Sequence, residues 1–338
     1  MHINGKHITL GGKDTWRGAD LAKHEHWISR YSEAALTEVD NFVKWADNRF
    51  ESHLDIERQH LDLPLLQAKF EQARDNLENG YGFTVLRGLP VAKYTESQNR
   101  KLFWALALLV GNPERQDKAG NRLHSIRDKG KDLKTDPSAR GYETNNELTF
   151  HNDGGDAFML LCLKTAISGG TSKLASVNFI YNEVVRRDPK LAAVLQQDFH
   201  FDAREQHVRG LKVQTLPIFN FHKGKLSALY KRSYILTAQR FEDVPRLTQE
   251  QIDAIALVEE ITNDSKTHLS FQMEPGDIQL GNNYSVLHSR TSYVDHEKLE
   301  DKRHNLRAWL TIPGGRALPA VFADTREFSQ SYASRTHD

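Results

Sequence analysis

Four His-x-Asp pairs are the residues of this 338-residue chain whose types and spacing could hold a metal ion. On a strand, residues i and i+2 share one face, so an imidazole and a carboxylate at this spacing can bind one ion; on a helix they point about 200° apart. The pairs are His53/Asp55, His60/Asp62, His151/Asp153 and His200/Asp202. The first two lie in a polar segment of helical character, which argues against shared ligation there.

The pair His151/Asp153 has the context that favours a metal site. It follows a short strand-like stretch and precedes Gly154-Gly155, where the backbone can turn away and leave the metal face open. A third ligand would complete a two-histidine, one-carboxylate triad, which leaves three adjacent positions on Fe(II) for other molecules. His288 is the best candidate, because a Pro-Gly turn and a strand-like stretch lead the chain to it.

Arg307 is the next residue whose type and position suggest a chemical role. It lies in an alternating stretch that predicts the last strand, and a planar guanidinium matches a carboxylate with two parallel hydrogen bonds. A surface ion pair is the alternative interpretation of this arginine. A zinc hydrolase built on the same three ligands would need a nearby general base, and the chain has no His-Glu-x-x-His arrangement to supply one.

The elements that must position these residues form a mixed pattern. Helices are predicted over 33–50, 65–79, 96–110, 181–198 and 249–261, and strands over 80–90, 148–150, 157–163, 173–180, 211–221 and 226–236. A helical first third followed by short strands with helical inserts indicates an α+β protein built on an antiparallel sandwich or barrel.

Composition narrows the function classes. Lys plus Arg and Asp plus Glu number 45 each, so the net charge is zero and a nucleic-acid or membrane-surface partner is not expected. One cysteine, Cys162, fits a reducing compartment, and no apolar run reaches the roughly 18 residues of a membrane span. We therefore expect a cytoplasmic protein with a small-molecule substrate, and the sequence leaves homo-oligomer formation open.

Several short motifs, taken together and in order, resemble one known family. FHNDGG, SGGTS, MEPGDIQLGNN, LHSR and RHNLRAWL, preceded by GYGFTVLRGLP, resemble the TauD/TfdA family of Fe(II)- and 2-oxoglutarate-dependent dioxygenases over about residues 62–313. The resemblance implies a double-stranded β-helix, or jelly roll, with flanking helices. On this basis residues 1–61 are an N-terminal helical or irregular extension. Residues 62–338 are one dioxygenase domain with a lid loop at about 114–147.

The resemblance also implies roles for individual residues. His151, Asp153 and His288 would be the iron ligands, and Arg307 would bind the far carboxylate of 2-oxoglutarate. The Gly-Gly-x-Thr pattern of the family gives a hydroxyl to 2-oxoglutarate; in register this is Ser172, with Thr171 the alternative. Arg303 falls where some members have another arginine near the substrate or co-substrate.

The implied reaction consumes 2-oxoglutarate and O₂, yields succinate and CO₂, and attacks an unactivated C–H bond. A carboxylate at position 153 favours hydroxylation, desaturation, epoxidation or cyclisation over halogenation. We expect a small polar metabolite, amino-acid-derived or carrying a carboxylate, as the substrate. The candidate contacts are Tyr142, Asn146, Arg232 and Tyr234, the last two on one face of a predicted strand. Sulfonate or aryloxyalkanoate cleavage, a zinc-dependent hydrolase and a non-catalytic binding protein of this fold are the alternatives.

Overall fold

Two sheets packed face to face form the centre of the computed structural model, which describes residues 2–3, 6–131, 141–207 and 209–336. The larger sheet is formed by seven strands and the smaller by four, and helices cover the outer faces of both. This is the double-stranded β-helix that the sequence motifs imply.

The strands of the described residues run in chain order as follows: β1 (His2–Ile3), β2 (Lys6–His7), β3 (Ile28–Arg30), β4 (Phe83–Arg87), β5 (Asn112–Pro113), β6 (His124–Ile126), β7 (Leu148–His151), β8 (Ala157–Lys164), β9 (Ser168–Gly169), β10 (Ser172–Ser176), β11 (Asp198–Asp202), β12 (Val213–Pro217), β13 (Phe219–His222), β14 (Lys225–Ala228), β15 (Leu269–Phe271), β16 (Ile278–Asn282), β17 (Val286–Arg290), β18 (Tyr293–Val294) and β19 (His304–Thr311). The order in the larger sheet is β3-β4-β16-β8-β19-β5, with β6 also paired to β19; in the smaller it is β15-β10-β17-β7.

The α-helices of the described residues are α1 (Gly18–Leu21), α2 (Glu33–Arg49), α3 (Pro64–Asn79), α4 (Glu96–Val110), α5 (Val177–Arg187), α6 (Pro189–Val194), α7 (Arg232–Ala238), α8 (Gln249–Asn263) and α9 (Ser329–Ala333). Short 3-10 turns occupy His53–Asp55, Arg58–His60, Val91–Lys93, Gly141–Glu143 and Ala320–Asp324. None of the helices in this part of the chain is long and apolar enough to cross a membrane.

Alternation along β8 and β19 divides the apolar residues between two layers. Phe158 and Trp309 point between the sheets and pack with residues of β4, β10 and β17. Met159 and Ala308 point the opposite way, against helices α2, α3 and α4. A third cluster joins the back of the smaller sheet to α5, α6 and α8. Because side chains alternate with period two, every second residue of β19 faces the interior.

Two predicted strands are wrong over part of their length. The strand predicted over 173–180 ends at Ser176, because the Ser176 hydroxyl accepts the N–H of Phe179 and caps helix α5. The strand predicted over 226–236 ends at Ala228, and α7 follows. Ile235 and Ala238 are buried at helical spacing there, so an alternation of polar and apolar residues concealed a short helix.

The remaining helix predictions agree with the structure to within two residues, except that 181–198 contains two helices. Asp188 ends α5 and caps α6, since its side chain accepts the N–H groups of Lys190 and Leu191. The first sixty residues also contribute to the sheet: β3 pairs in parallel with β4 at its edge, and Trp16 and Trp27 pack between the sheets. The domain boundary at residue 61 stays a prediction.

Candidate active site

His151, Asp153 and His288 meet at one end of the smaller sheet. His151 ends β7 and lies opposite His288 of β17 in the strand pairing, and Asp153 follows two residues later. Nε2 of His151 is 4.0 Å from Oδ1 of Asp153, and Nε2 of His288 is 3.7 Å from Oδ2. A metal ion with bonds of about 2 Å needs ligand atoms roughly 3–4 Å apart. The structure therefore brings the three predicted ligands together as a metal-binding group.

Two buried asparagines fix the loop that carries Asp153. The Asn283 side-chain oxygen accepts the backbone N–H of Asp153 at 3.2 Å. The Asn152 side chain accepts the N–H of Tyr230 at 2.6 Å and donates to the carbonyl of Asn283. Gly155 has φ +75°, and a Cβ there would lie 2.9 Å from the backbone of β19, so glycine is required at this turn. These contacts tie the two parts of the triad to each other.

The triad holds the protonation state that a metal ion needs. Burial, with the neighbouring His151, lowers the pKa of His288 to about 3, and burial also lowers the pKa of His151. Burial alone would raise the pKa of Asp153, but Arg307 and the two histidines outweigh it and lower that pKa well below its ordinary value. Neutral imidazoles and an ionised carboxylate are the forms that ligate metal.

Neither histidine ring uses its Nε2 atom in a hydrogen bond to another described residue, so both atoms can face an ion. Nδ1 of His151 lies 2.8 Å from the carbonyl oxygen of Thr149, which assigns the proton to Nδ1 and leaves Nε2 as the ligand atom. Nδ1 of His288 is buried and has no hydrogen-bond partner among the described residues. The donor set and its geometry fit Fe(II) or a similar divalent ion.

Arg307 lies beside the triad. Its Nη1 is 3.1 and 3.2 Å from the two carboxylate oxygens of Asp153, and its Nε donates to the side chain of Gln116 at 2.9 Å. The guanidinium also lies over the ring of Trp309, 5.0 Å from its centroid. Gln116 belongs to the predicted lid segment, of which residues 132–140 lie outside the described part of the chain.

Two further arginines, Arg290 and Arg303, form what we call the interior pair. Arg290 follows His288 by two residues on β17, and Arg303 directly precedes β19. Both guanidinium groups lie over the ring of Tyr293, at 4.6 and 5.3 Å from its centroid. Nε of Arg290 and Nη1 of Arg303 are buried without a hydrogen-bond partner among the described residues. Burial, with repulsion from Arg303, lowers the pKa of Arg290 to about 10. Two buried like charges with unsatisfied donors form a place for an anion.

Ser172 belongs to the same interior face. It is buried and lies opposite Arg290 in the pairing of β10 with β17. The Thr171 hydroxyl accepts the side-chain amide of Gln272 at 2.6 Å instead. Of the two hydroxyls considered from the sequence, the geometry favours Ser172 as a contact of an anion at the interior pair. Sequence reasoning missed Arg290, although it is the last residue of the LHSR motif.

A cavity of about 850 Å³ opens from the triad on the side of Arg307. Arg232 and Tyr234, both predicted, line it from helix α7 rather than from a strand. The side chain of Asn146 is exposed, and its carbonyl accepts a hydrogen bond from Arg290. The side chain of Tyr142 lies outside the described residues.

The cavity has lining residues that sequence reasoning missed. Lys231 and Arg326 line it, and buried Glu327 lies 2.8 Å from Lys231 and 3.5 Å from Arg326. Arg326 and Glu327 belong to the C-terminal segment, which carries none of the family motifs. Charged residues 16 and 17 positions beyond the end of the last motif give no sequence signal of this role.

Comparison with known proteins is decisive about the family. The profile of the taurine catabolism dioxygenase TauD, TfdA family matches residues 48–309. The chain belongs to the TauD/TfdA family. It is accordingly an Fe(II)- and 2-oxoglutarate-dependent oxygenase, as the motifs imply, and the zinc-dependent hydrolase is set aside.

Relatives extend over nearly the whole chain. FR-33289 synthase of Streptomyces rubellomurinus is 29% identical over 332 residues, covering 96% of this chain and 97% of that protein. Taurine hydroxylase-like protein SAT17 of Stachybotrys chartarum is 26% identical over 326 residues, covering 90% and 82%.

Solved structures share the TauD/TfdA fold. An asparagine oxygenase in complex with Fe(II), 3-hydroxyasparagine and succinate superposes with a TM-score of 0.66 at 16% identity, covering 84% of this chain and 93% of that chain. The non-haem iron oxygenase OrfP in complex with Fe, succinate and (3S)-hydroxy-L-Arg gives 0.62 at 13% identity, covering 84% and 94%.

Proposed function

We propose that His151, Asp153 and His288 hold the Fe(II) of this oxygenase and that the cavity beside them holds a small polar, anionic metabolite. When bound, the iron with 2-oxoglutarate and O₂ supplies the oxidising chemistry that attacks an unactivated C–H bond and yields succinate and CO₂. The observation that carries the proposal is the convergence of the three ligands at one end of a cavity lined by Arg307.

The structure supports a division of work between the arginines. The interior pair, Arg290 and Arg303, has unsatisfied donors and no carboxylate of the described residues in ion-pair contact, so we assign the far carboxylate of 2-oxoglutarate to it, with Ser172. Arg307 lies in the cavity beside Asp153 and Trp309, so we assign it to an anionic group of the substrate. The assignment of Arg307 to 2-oxoglutarate, made from the motifs, is the alternative.

The remaining contacts orient the reacting groups. Gln116 accepts from the Nε of Arg307 and donates to its carbonyl at 3.1 Å, so the guanidinium is held at a fixed angle to Asp153. Phe158 packs against the ring of His288, with centroids 4.2 Å apart, and excludes water from that side of the ligand. Asn152 and Asn283 hold the Asp153 loop, and such outer contacts set the affinity of a metal site.

The class of substrate follows from charge and from the relatives. Six arginine and lysine side chains line the cavity together with five carboxylates, a strongly polar lining that suits a polar metabolite with an acidic group. The names of the solved relatives describe oxygenases of asparagine and arginine, which supports an amino-acid-derived substrate. Asp153 as an iron ligand favours hydroxylation, desaturation, epoxidation or cyclisation. The buried Cys162 supports the expectation of a cytoplasmic protein.

The first experiment adds Fe(II) and 2-oxoglutarate to anaerobic, metal-free protein and records the visible charge-transfer band that direct chelation produces. We expect the band in the wild type, its loss in His151→Ala, and a weaker band in Arg303→Lys. Folded, iron-loaded protein without the band would contradict the proposal. Succinate release in air then distinguishes an active oxygenase from a non-catalytic binding protein.

A further inference from the structure

We propose that Arg204, Lys231, Tyr234 and Arg326 form a second anion subsite in the cavity, which binds a doubly charged, tetrahedral oxyanion group of the substrate, such as a phosphonate or a phosphate monoester. The proposal rests on the proposed function, since it deepens the substrate class of the same cavity. We call these four residues the oxyanion subsite. They come from three separate parts of the chain: the loop after β11, the start of α7 and the C-terminal segment.

The three cationic side chains of the subsite all lie close to Tyr234. The hydroxyl of Tyr234 is 3.4 Å from Nη1 of Arg326. The guanidinium carbon of Arg204 is 4.6 Å from the centroid of the Tyr234 ring, and Nζ of Lys231 is 5.2 Å from it. All four line the cavity that also contains His151, Asp153 and Arg307. A substrate can therefore reach this subsite and the triad at the same time.

The charges of the oxyanion subsite do not balance. Three cations meet one buried carboxylate, Glu327, which bonds Lys231 at 2.8 Å and takes the side-chain amide of Gln214 at 2.6 Å. The nearby arginines of the wall have carboxylates of their own: Arg240 pairs with Asp202 at 3.2 Å and Arg232 with Glu259 at 3.0 Å. Asp202 and Glu205 also line the cavity next to Arg204, but their ion pairs are with Arg240 and with Lys118 at 3.8 Å. Counted by ion-pair contacts among the described residues, the subsite therefore has two positive charges more than negative ones.

Three further observations support a ligand at the subsite. Nε of Arg204 is buried and has no hydrogen-bond partner among the described residues. The backbone of Arg204 has φ +46° and that of Glu205 φ +59°, a conformation that costs free energy and clusters at ligand sites. Burial would raise the pKa of Tyr234, but Arg326, Lys231 and Arg204 lower it to about 8. The three cations therefore stabilise negative charge at the position of the Tyr234 hydroxyl, as they would stabilise a bound anion.

The donor set indicates the shape of the anion. A guanidinium fork from Arg326, another from Arg204, the ammonium of Lys231 and the hydroxyl of Tyr234 offer more donors than the two oxygens of a carboxylate accept from one side. A phosphonate and a phosphate monoester each have three terminal oxygens. The phosphate monoester carries nearly two charges near neutral pH, and the phosphonate, whose second pKa is higher, does so only at somewhat higher pH. A sulfonate has the three oxygens but one charge, which leaves one cation of the surplus without a counter-charge.

Binding of simple anions to the whole metal-free protein tests the proposal without iron or 2-oxoglutarate. Methylphosphonate, methanesulfonate and acetate are titrated by calorimetry at about pH 8, where the phosphonate is doubly charged. We expect methylphosphonate to bind at least about tenfold more tightly than the other two, the effect of one additional charge-assisted bond. Equal binding of acetate at the subsite, recognised because Arg326→Lys weakens it and Arg303→Lys does not, would overturn the proposal, as would no binding of any probe.

Variants locate the bound probe. Arg326→Lys keeps the charge but removes the fork, and Arg204→Gln removes the charge on the partly exposed side of the subsite. Each is expected to weaken methylphosphonate binding about tenfold or more, while Arg303→Lys, at the interior pair, leaves it unchanged. Loss of binding in Arg303→Lys alone would place the probe at the interior pair and contradict the subsite. Unfolding midpoints of all three variants check that they fold.

The same variants separate this proposal from the proposed function. The charge-transfer band with Fe(II) and 2-oxoglutarate is expected to persist in Arg326→Lys and Arg204→Gln. A band without phosphonate binding would leave the oxygenase intact and refute the oxyanion subsite. In air, alkylphosphonates should stimulate succinate release more than the matched sulfonates or carboxylates; the reverse order would also refute it.

Discussion

Two groups of arginines flank the proposed metal ligands, and they differ in how their charges are balanced. The interior pair, Arg290 and Arg303, is buried against the Tyr293 ring, and each of the two guanidinium groups has one N–H group that no described residue accepts. In the cavity, Arg307 and Arg326 each lie within 3.5 Å of a buried carboxylate, Asp153 or Glu327. Unbalanced buried charge is costly in the empty protein and is compensated only when an anion binds.

The balance of charge indicates which ligand each group of arginines suits. An interior pair without counter-charges fits a co-substrate of fixed charge that occupies the site in every turnover. Cavity cations that retain part of their counter-charge stay stable when the substrate is absent, and they discriminate among substrates by the charge that is left over.

Removal of a metal ligand eliminates the function that both groups of arginines serve. His288→Ala is expected to abolish iron retention and to reduce succinate formation by about three orders of magnitude or more, since the oxidising chemistry depends on the metal. His200→Ala is the matched control, because His200 belongs to another His-x-Asp pair and its ring contacts Thr215 outside the triad. Metal analysis after gel filtration and a succinate assay measure both. Equal losses in the two variants would show that the triad has no special role.

Loss of the cavity's counter-charge should destabilise the fold. Glu327→Gln leaves Lys231 buried beside a neutral amide, and we expect the free energy of unfolding to fall by about 3 kcal/mol. Glu96→Gln, at an exposed ion pair with Arg100, should cost about 0.5 kcal/mol or less. Urea denaturation measures both variants.

The same variant predicts a pH dependence. Burial would raise the pKa of Glu327, but Lys231 and Arg326 lower it from 4.5 to about 2. A lowered carboxyl pKa contributes stability above pH 4.5 that is lost as the pH falls towards 2. The difference between wild type and Glu327→Gln should therefore shrink below pH 4.5. A constant difference would mean that Glu327 acts through packing and not through charge.

Matched lysine substitutions test the division of work between the arginines. Arg303→Lys is expected to raise the KM for 2-oxoglutarate in substrate-free turnover by about 10- to 100-fold, because one fork of charge-assisted hydrogen bonds is lost. Arg307→Lys should leave that KM within about twofold and weaken substrate binding instead. The reverse pattern would restore Arg307 as the contact of 2-oxoglutarate.

The smallest effect is one of stability in the empty protein. Arg290→Met removes one of two like charges that are buried together, so we expect the metal-free protein to gain about 1 kcal/mol while it loses affinity for 2-oxoglutarate. Arg326→Met is the control and should destabilise, because Arg326 lies 3.5 Å from Glu327. Should Arg290→Met destabilise as well, the bonds of Arg290 to the carbonyls of Thr144 and Asn146 outweigh the repulsion.

The sequence was sufficient where function depends on short, local patterns. The clustering of His151, Asp153 and His288 could be predicted because strand periodicity, adjacent glycines and motif order all restrict these positions. Helix α4 could be predicted to the residue because Thr95 and Gln98 cap it and Gly111 follows its end.

Sequence reasoning failed where tertiary contacts decide. The segment containing Tyr234 has strand-like alternation, and only the packing of Ile235 and Ala238 makes it a helix. Arg326 and Glu327 lie in no motif, and their role depends on the C-terminal segment reaching Lys231, nearly a hundred residues earlier. Contacts at such separation cannot be read from local periodicity.

The asparagine contacts beneath the triad give the metal site a place in the order of folding. Asp153 and Asn283 are 130 residues apart, and the ion-binding group exists only after the strands that carry them have docked. Closing so large a loop costs chain entropy, and iron binding can offset that cost only after the strands have docked. Iron uptake would then be the last step of folding. A chain that holds iron has already assembled both sheets, and a partly folded chain does not bind the metal.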